Sequence, residues 1–452
     1  MGIRYTVYLL IWKWIAAILA LHLRCDIITL TIDPRTSEFP SMKVYLPERP
    51  PRANIPNVVL FKRPAAPLPA KLQYAHEAFR KWLGQDWDVQ MLNVLLATAS
   101  ANRLRGDPLW LMIVGGSGAG KTELIYSLQG CGGHIISTIT SEGALLSATS
   151  SKDKAAEATG GILQVIGSRG LLGIKDFTSI LSMPAQTMRP AILAALREVH
   201  DGRWIRNVGT DGGRTLSWEG HLGIVSGCTT VWDTSHSAVA TMGDRFVVCR
   251  IDTTDPDSRM AAGKQAMLNI GHEREMRREL EQAVGLVVGA IGPNTVIEEP
   301  SAPVYSHMLE ACNIASKART PVETDYQGKV TYSHDPESPT RLTKSLMQMI
   351  RGALAMELSL DDAFDLALRC ARDSIPPIRL ECMCDMAQHA DCRPSEVASR
   401  IDRPWKAVDR AMSALHSARI LSCTKASDGE SKPKWLYNIA DWIKLEHLWP
   451  GA

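Results

Sequence analysis

The stretch GGSGAGKTEL, residues 115 to 124, fits the pattern G-x-x-x-x-G-K-[ST] in full, with Gly115, Gly120, Lys121 and Thr122 at the fixed positions. Its surroundings decide the fold. The apolar run PLWLMIV, residues 108 to 114, reads as a buried strand, and TELIYSLQG reads as the helix after the loop. Strand, glycine loop and helix in that order make a phosphate-binding turn. Glycines let backbone N–H groups face an anion, and the helix amino terminus adds its positive dipole end. In such a loop Lys121 reaches the β- and γ-phosphates and the Thr122 hydroxyl takes Mg2+. The expected nucleotide-binding set is Gly115, Gly116, Ser117, Gly118, Ala119, Gly120, Lys121, Thr122 and Glu123, with ATP and Mg2+ as cofactors.

Hydrolysis needs an acid as well, for the Mg2+ shell or for polarising the attacking water. The stretch LLGIKDFTSIL, residues 171 to 181, offers one: a short apolar strand followed by Lys175, Asp176 and Phe177. Two registers are open. Asp176 is either the Mg2+ carboxylate, with water activated from another place, or the catalytic acid, with Lys175 standing where a metal-shell acid is usual. A third use of Asp176, capping the helix that follows, needs no nucleotide.

At 452 residues, 45% hydrophobic and 22% charged, the chain has room for two or three domains of ordinary soluble composition. The net charge of +2 is too small for a whole-molecule field to steer a polyanion, so any such partner meets a local patch. Ten scattered cysteines suggest reduced thiols in a cytoplasm. Cys382, Cys384, Cys392 and Cys423 lack the C-x₂₋₄-C pairs of a zinc site. Residues 5 to 23, YTVYLLIWKWIAAILALHL, have the length of a membrane span. Lys13 in their middle would cost about 2.5 to 3.5 kcal/mol at a bilayer centre. A non-essential extension is favoured over an anchor, and a membrane partner is not expected.

Strand and helix patterns alternate from residue 75 to 255, which implies an α/β fold with a parallel sheet covered on both faces. HIISTIT, GLLGI, HLGIVSGCTTVWD and RFVVCRID are the further strand candidates. RWIRNVGTDGGRTLSW, residues 203 to 218, reads as a hairpin on its turn chemistry. From 256 to about 375 the pattern is wholly helical. The expected organisation is a hydrophobic and proline-rich lead-in over 1–70, an α/β nucleotide-binding core over 71–255, a helical lid over 256–375 and a winged helix-turn-helix over 376–452.

In the tail, PSEVASRI and PWKAVDRAMSALHSARI read as the two helices of a helix-turn-helix, with TKASDGESKPKWLYN as a wing. Between residues 403 and 419, Arg403, Lys406, Arg410 and Arg419 face one acid, Asp409. That excess suits a helix lying on DNA, so Arg403, Lys406 and Arg410 are candidate phosphate contacts. A winged helix used for protein contacts is the alternative.

From residue 106 on, GDPLWLMIVGGSGAGKTEL, KDFTSIL, LREVHDG and GDRF occur in an order that resembles an AAA+ ATPase. The likeness covers residues 75 to 375. It is strongest to the branch holding MCM helicases and superfamily III viral helicases, and the blocks look like those of ATP-binding proteins of bacteriophages, prophages and plasmids. The resemblance implies a ring, with six subunits expected, whose ATP site lies between copies. Thr229 or Thr230 of GCTT matches the sensor-1 position, Arg245 the arginine finger, and Arg341 the sensor-2 arginine of the lid. The hairpin matches a DNA-contacting one, with Arg206 and Arg214 flanking its tip. A structural hairpin paired through Trp204 and Trp218 remains open beside it, as does a surface Arg245 paired with Asp244. The implied function is an ATP-hydrolysing motor on DNA. A non-translocating nucleotide switch and a packaging ATPase are the alternatives, the first favoured by the missing second acid in KDFT.

Overall fold

The computed structural model describes residues 28–30, 42–44, 68–149, 158–184, 188–235, 245–326, 329–426 and 434–449. The chain divides into two compact units, Met1–Asn54 and Ile55–Ala452. In the first, β1 (Ile28–Leu30) pairs antiparallel with β2 (Met42–Val44). The hydrophobic stretch 5–23 lies outside the described residues. Among those described, no helix is long and apolar enough to cross a membrane.

The second unit opens with α1 (Ala70–Leu83) and α2 (Val89–Ala101). Asp88 caps α2, its carboxylate accepting from the N–H groups of Gln90 (3.1 Å) and Met91 (3.3 Å). Then come β3 (Trp110–Val114), α3 (Lys121–Ser127), β4 (His134–Ile136), β5 (Arg169–Ile174) and α4 (Met188–His200). The hairpin β6 (Arg203–Val208) and β7 (Arg214–Glu219) follows, and then β8 (His221–Cys228) and β9 (Phe246–Arg250). Five strands form one parallel sheet in the order β4-β5-β8-β3-β9. It is a P-loop-like α/β core, and the phosphate loop leaves the carboxyl end of an interior strand.

Because side chains alternate along a strand, the sheet feeds two separate apolar cores. Leu111 and Ile113 of β3, with Val247 and Cys249 of β9, pack into a cluster that runs through α1 and α2 and on to Trp449. Trp110, Met112 and Val114, with Phe246 and Val248, face the opposite cluster, built from α4 and the two hairpin tryptophans. Trp204 stands opposite Trp218 in the hairpin register, and both are buried, as a cross-strand pair requires.

Beyond the sheet lie α5 (Pro256–Leu268), α6 (Glu273–Val288) and α7 (Ala302–Ala318). The expectation of a wholly helical stretch is corrected here: β10 (Val322–Thr324) and β11 (Val330–Ser333) form an antiparallel hairpin. Short β-branched runs carry too little periodicity to compete with long helices in a sequence reading. Two further helices, α8 (Thr340–Ala355) and α9 (Leu360–Asp373), return to the core. Arg369 of α9 forks onto Asp88 (2.9 and 2.5 Å) and donates to the Arg250 carbonyl (2.9 Å), tying the start of α2 to the end of β9. The tail holds α10 (Pro377–Met386), α11 (Pro394–Arg400) and α12 (Trp405–Ser417), then the antiparallel pair β12 (Leu421–Ala426) and β13 (Lys434–Ile439).

Helices α8 and α2 meet closely. A Cβ on Gly352 would lie 2.1 Å from the Ala97 carbonyl oxygen and 2.8 Å from the Ala101 nitrogen, so only glycine lets the two backbones meet. Gly352→Ala is therefore expected to lower stability by about 1–3 kcal/mol. Urea denaturation checks this, and an unchanged midpoint would mean that the helices do not pack this closely.

Candidate nucleotide-binding site

The loop after β3 turns through Gly118 and Gly120, whose φ values of 79° and 77° are left-handed and favour glycine. Gly120 stands at the amino end of α3, where the first-turn N–H groups have no intrahelical acceptor and point outward. Lys121 curls back over the loop, its Nζ donating to the carbonyls of Gly115 (2.8 Å) and Gly116 (2.6 Å). Burial pulls this ammonium below the usual lysine value, while Cys228 and Asp176 push the other way. Thr122 is exposed at the helix start.

These groups border a cleft of about 410 Å³ that also takes in Lys175, Asp176, Thr178, Cys228 and Thr229. The sheet order brings them together, because β5 and β8 end beside the loop. Asp176 accepts from the Ser179 hydroxyl and, at 3.4 Å, from the Ser179 N–H. Its neighbour Lys175 is turned onto Tyr126, donating to the phenol oxygen at 3.0 Å with its ammonium 5.1 Å from the ring centroid. Thr178 and Thr229 hydroxyls lie 3.4 Å apart, and the Thr229 N–H donates to Thr178 Oγ1 at 3.1 Å. Thr230 precedes the next helical turn, with no side-chain capping bond, and lies outside this lining. Glu123 lines the cleft with both oxygens taken by Arg277 of α6, at 2.9 Å each.

An ammonium, outward amides, a hydroxyl and a carboxylate at one cleft are the donor set that a polyphosphate with a hard divalent cation requires. Sequence reasoning missed the adjoining cleft, about 670 Å³, where Trp82, Trp87, Ala262, Ala266 and Met276 meet the loop residues Ser117–Gly120. Two tryptophans five residues apart just before a phosphate loop were its only signal. Its walls come from α1 and α5, which no local pattern joins.

The two arginines assigned by resemblance lie elsewhere. Arg245 precedes β9 and Asp107 and Pro108 precede β3, so both segments sit at the amino end of the sheet, about 16 Å from the loop along a five-residue strand. A cleft of about 650 Å³ there is lined by Asp107, His200, Asp201, Glu337, Arg341 and Lys344, among others. Arg245 is buried and forks onto Asp201 (3.0 and 2.9 Å). Asp244 lies outside the described residues, and the surface placement left open for Arg245 is corrected by its burial between β9 and Asp201. Arg341 pairs with Glu337.

Candidate DNA contacts are engaged within the chain. Arg206 donates to the Leu146 carbonyl (2.7 Å) and pairs with Glu142, and Arg214 donates to the Thr149 carbonyl. The hairpin thus straps the segment 142–149. Arg403 forks onto Glu381 of α10 (2.7 and 2.6 Å). Lys406 and Arg410 are exposed on α12. Among the described residues, no group of three or more acids, histidines and cysteines is placed to hold a metal.

No protein-family model matches this sequence, and no curated protein matches it. Solved structures are similar, among them the following two. A full-length MCM homologue from Methanopyrus kandleri aligns with a TM-score of 0.38 and 13% identity over 69% of this chain and 64% of that one, under two-thirds of its length. The C-terminal region of NrS-1, in its A-form apo structure, aligns with a TM-score of 0.27 and 8% identity over 88% of this chain and 81% of that one. Likeness at this level carries no argument about activity, which rests on the residues themselves.

The amino-end cleft has a pH signature. Burial, aided by Arg245, pulls His200 down to about 4 from 6.5, with Asp201 opposing. Burial likewise pulls His221 down to about 4. A histidine with a depressed folded value binds fewer protons folded than unfolded between those limits. Stability is then full above about pH 6.5 and is lost as pH falls toward 4. Urea midpoints at pH 7 and pH 5 are expected to show this fall, and His200→Gln to flatten it; an equal slope in the variant would remove His200 as a source.

Proposed function

We propose that this chain is a Mg2+-dependent ATPase of the AAA+ type that works on DNA as a ring of copies. The observation that carries the reading is the convergence of Lys121, Thr122, Asp176 and Thr229 on one cleft at the carboxyl ends of three adjacent parallel strands. Lys121 exchanges its loop carbonyls for phosphate oxygens, and the outward amides of α3 hold the rest of the chain of phosphates. Thr122 and Asp176 are the residues that hold the cation. Mg2+ held there would supply charge neutralisation at the phosphates. The Thr178–Thr229 hydroxyl pair is placed to feel whether the terminal phosphate is present. The base lies in the adjoining cleft against Trp82 and Trp87.

Arg245 and Arg341 sit too far along the sheet to serve the loop of their own chain. In this reading Arg341, and Arg245 once released from Asp201, reach the cleft of a neighbouring copy, where an arginine stabilises charge on the phosphoryl group in flight. The tail, with three helices and a hairpin bridged at Cys392–Tyr437, acts as a winged helix on DNA. A second reading, a switch that binds ATP without translocating, is favoured by one observation. Of the two acids in the described lining, Glu123 is held by Arg277 and only Asp176 is left to act on metal or water.

Lys121→Ala is expected to reduce steady-state ATP turnover to background, and retained turnover would sink the ATPase assignment. Arg245→Ala should lose about 10³-fold or more. Mixing the two inactive variants restores part of the rate if the arginine acts between copies, because some junctions then pair an intact Lys121 with an intact Arg245. No restoration would mean that Arg245 does not act in trans.

A further inference from the structure

The recognition helix α12 and the hairpin behind it present aromatic rings to solvent. Trp405, the first residue of α12, is 56% exposed, and Trp435 of β13 is 55% exposed. Trp442 is exposed too, but its indole N–H donates to the Arg419 carbonyl and the Lys317 ammonium covers its ring at 4.2 Å. It is an anchor.

Three contacts set the position of the other two. His416 Nδ1 meets the Leu421 carbonyl at 3.0 Å, Tyr437 is hydrogen-bonded to Ser413, and Tyr437 pairs with Cys423 across the hairpin. The hairpin therefore runs back along α12 toward its amino end. Trp435, two residues before Tyr437, is on the same hairpin face and about 7 Å nearer that end. This turns Trp435 toward the amino-terminal half of α12, the end that carries Trp405. Lys425 is Trp435's register partner, its ammonium 5.9 Å from the ring centroid. Lys406 and Arg410 are exposed on the helix side. Arg403, one of the cations expected from the sequence to contact phosphate, is instead paired with Glu381.

Two exposed rings on neighbouring elements of the tail, interleaved with lysine and arginine, match the stacking platform of single-stranded nucleic acid better than a groove reader. We propose that Trp405 and Trp435 stack successive bases of a single strand while Lys406, Arg410 and Lys425 track its backbone. The inference rests on the DNA-acting reading above and names its substrate form.

The test is fluorescence anisotropy of the full chain at fixed salt with three labelled probes: oligo-dT, an abasic strand of equal length, and a blunt duplex. Trp405→Ala and Trp435→Ala should each weaken oligo-dT binding by about fivefold or more. Trp405→Phe and Trp435→Phe should recover most of that loss. Parent protein should bind the abasic strand as weakly as the double alanine variant binds oligo-dT, with duplex binding and DNA-free ATP turnover unchanged by the substitutions. Alanine variants that bind oligo-dT as the parent does, or lose all three probes in equal proportion, overturn the stacking site and leave the DNA reading standing. A parent that binds none of the probes overturns both.

Discussion

A parallel sheet cannot leave either face in water, and the rest of this molecule follows from that constraint. Each return to the next parallel strand needs a crossover, so the chain must keep covering the sheet as it builds it. β3 shows the result: its alternate residues feed two different cores, and none of its five side chains reaches solvent. All carboxyl ends then lie along one edge, where the phosphate loop, Asp176 and Thr229 meet without any of them being adjacent in sequence.

The same geometry separates tasks. The phosphate-loop groups occupy the carboxyl edge, whereas Arg245 and Arg341 occupy the amino edge with Asp201 and Glu337. A strand's length divides the two sets. Several of the buried or half-buried charges are handled by pairing, as Arg369 with Asp88, Arg250 with Asp233, and Arg400 with Asp385. Each pair joins different elements, and removing one partner would strand a charge.

Legibility in the sequence tracks how local each feature is. The phosphate loop, its flanking strand and helix, and the Trp204–Trp218 hairpin were readable because their signals sit within about twenty residues. The fates of the charged side chains were not. Glu123 is claimed by an arginine 154 positions away, Arg245 by an aspartate 44 away and Arg403 by a glutamate 22 away. No periodicity encodes such pairs. Asp176 is intermediate: its strand marks it, but only the turning of Lys175 onto Tyr126 leaves it facing the cleft beside Lys121.

Asp176 therefore bears the central claim. The most direct measurement is steady-state ATP hydrolysis by the parent and by Asp176→Asn, each with and without single-stranded DNA, alongside ATP affinity. The account predicts turnover that rises with DNA in the parent and vanishes in the variant while ATP still binds. A parent that binds ATP but does not turn it over with any DNA would contradict the motor and leave a nucleotide-gated switch.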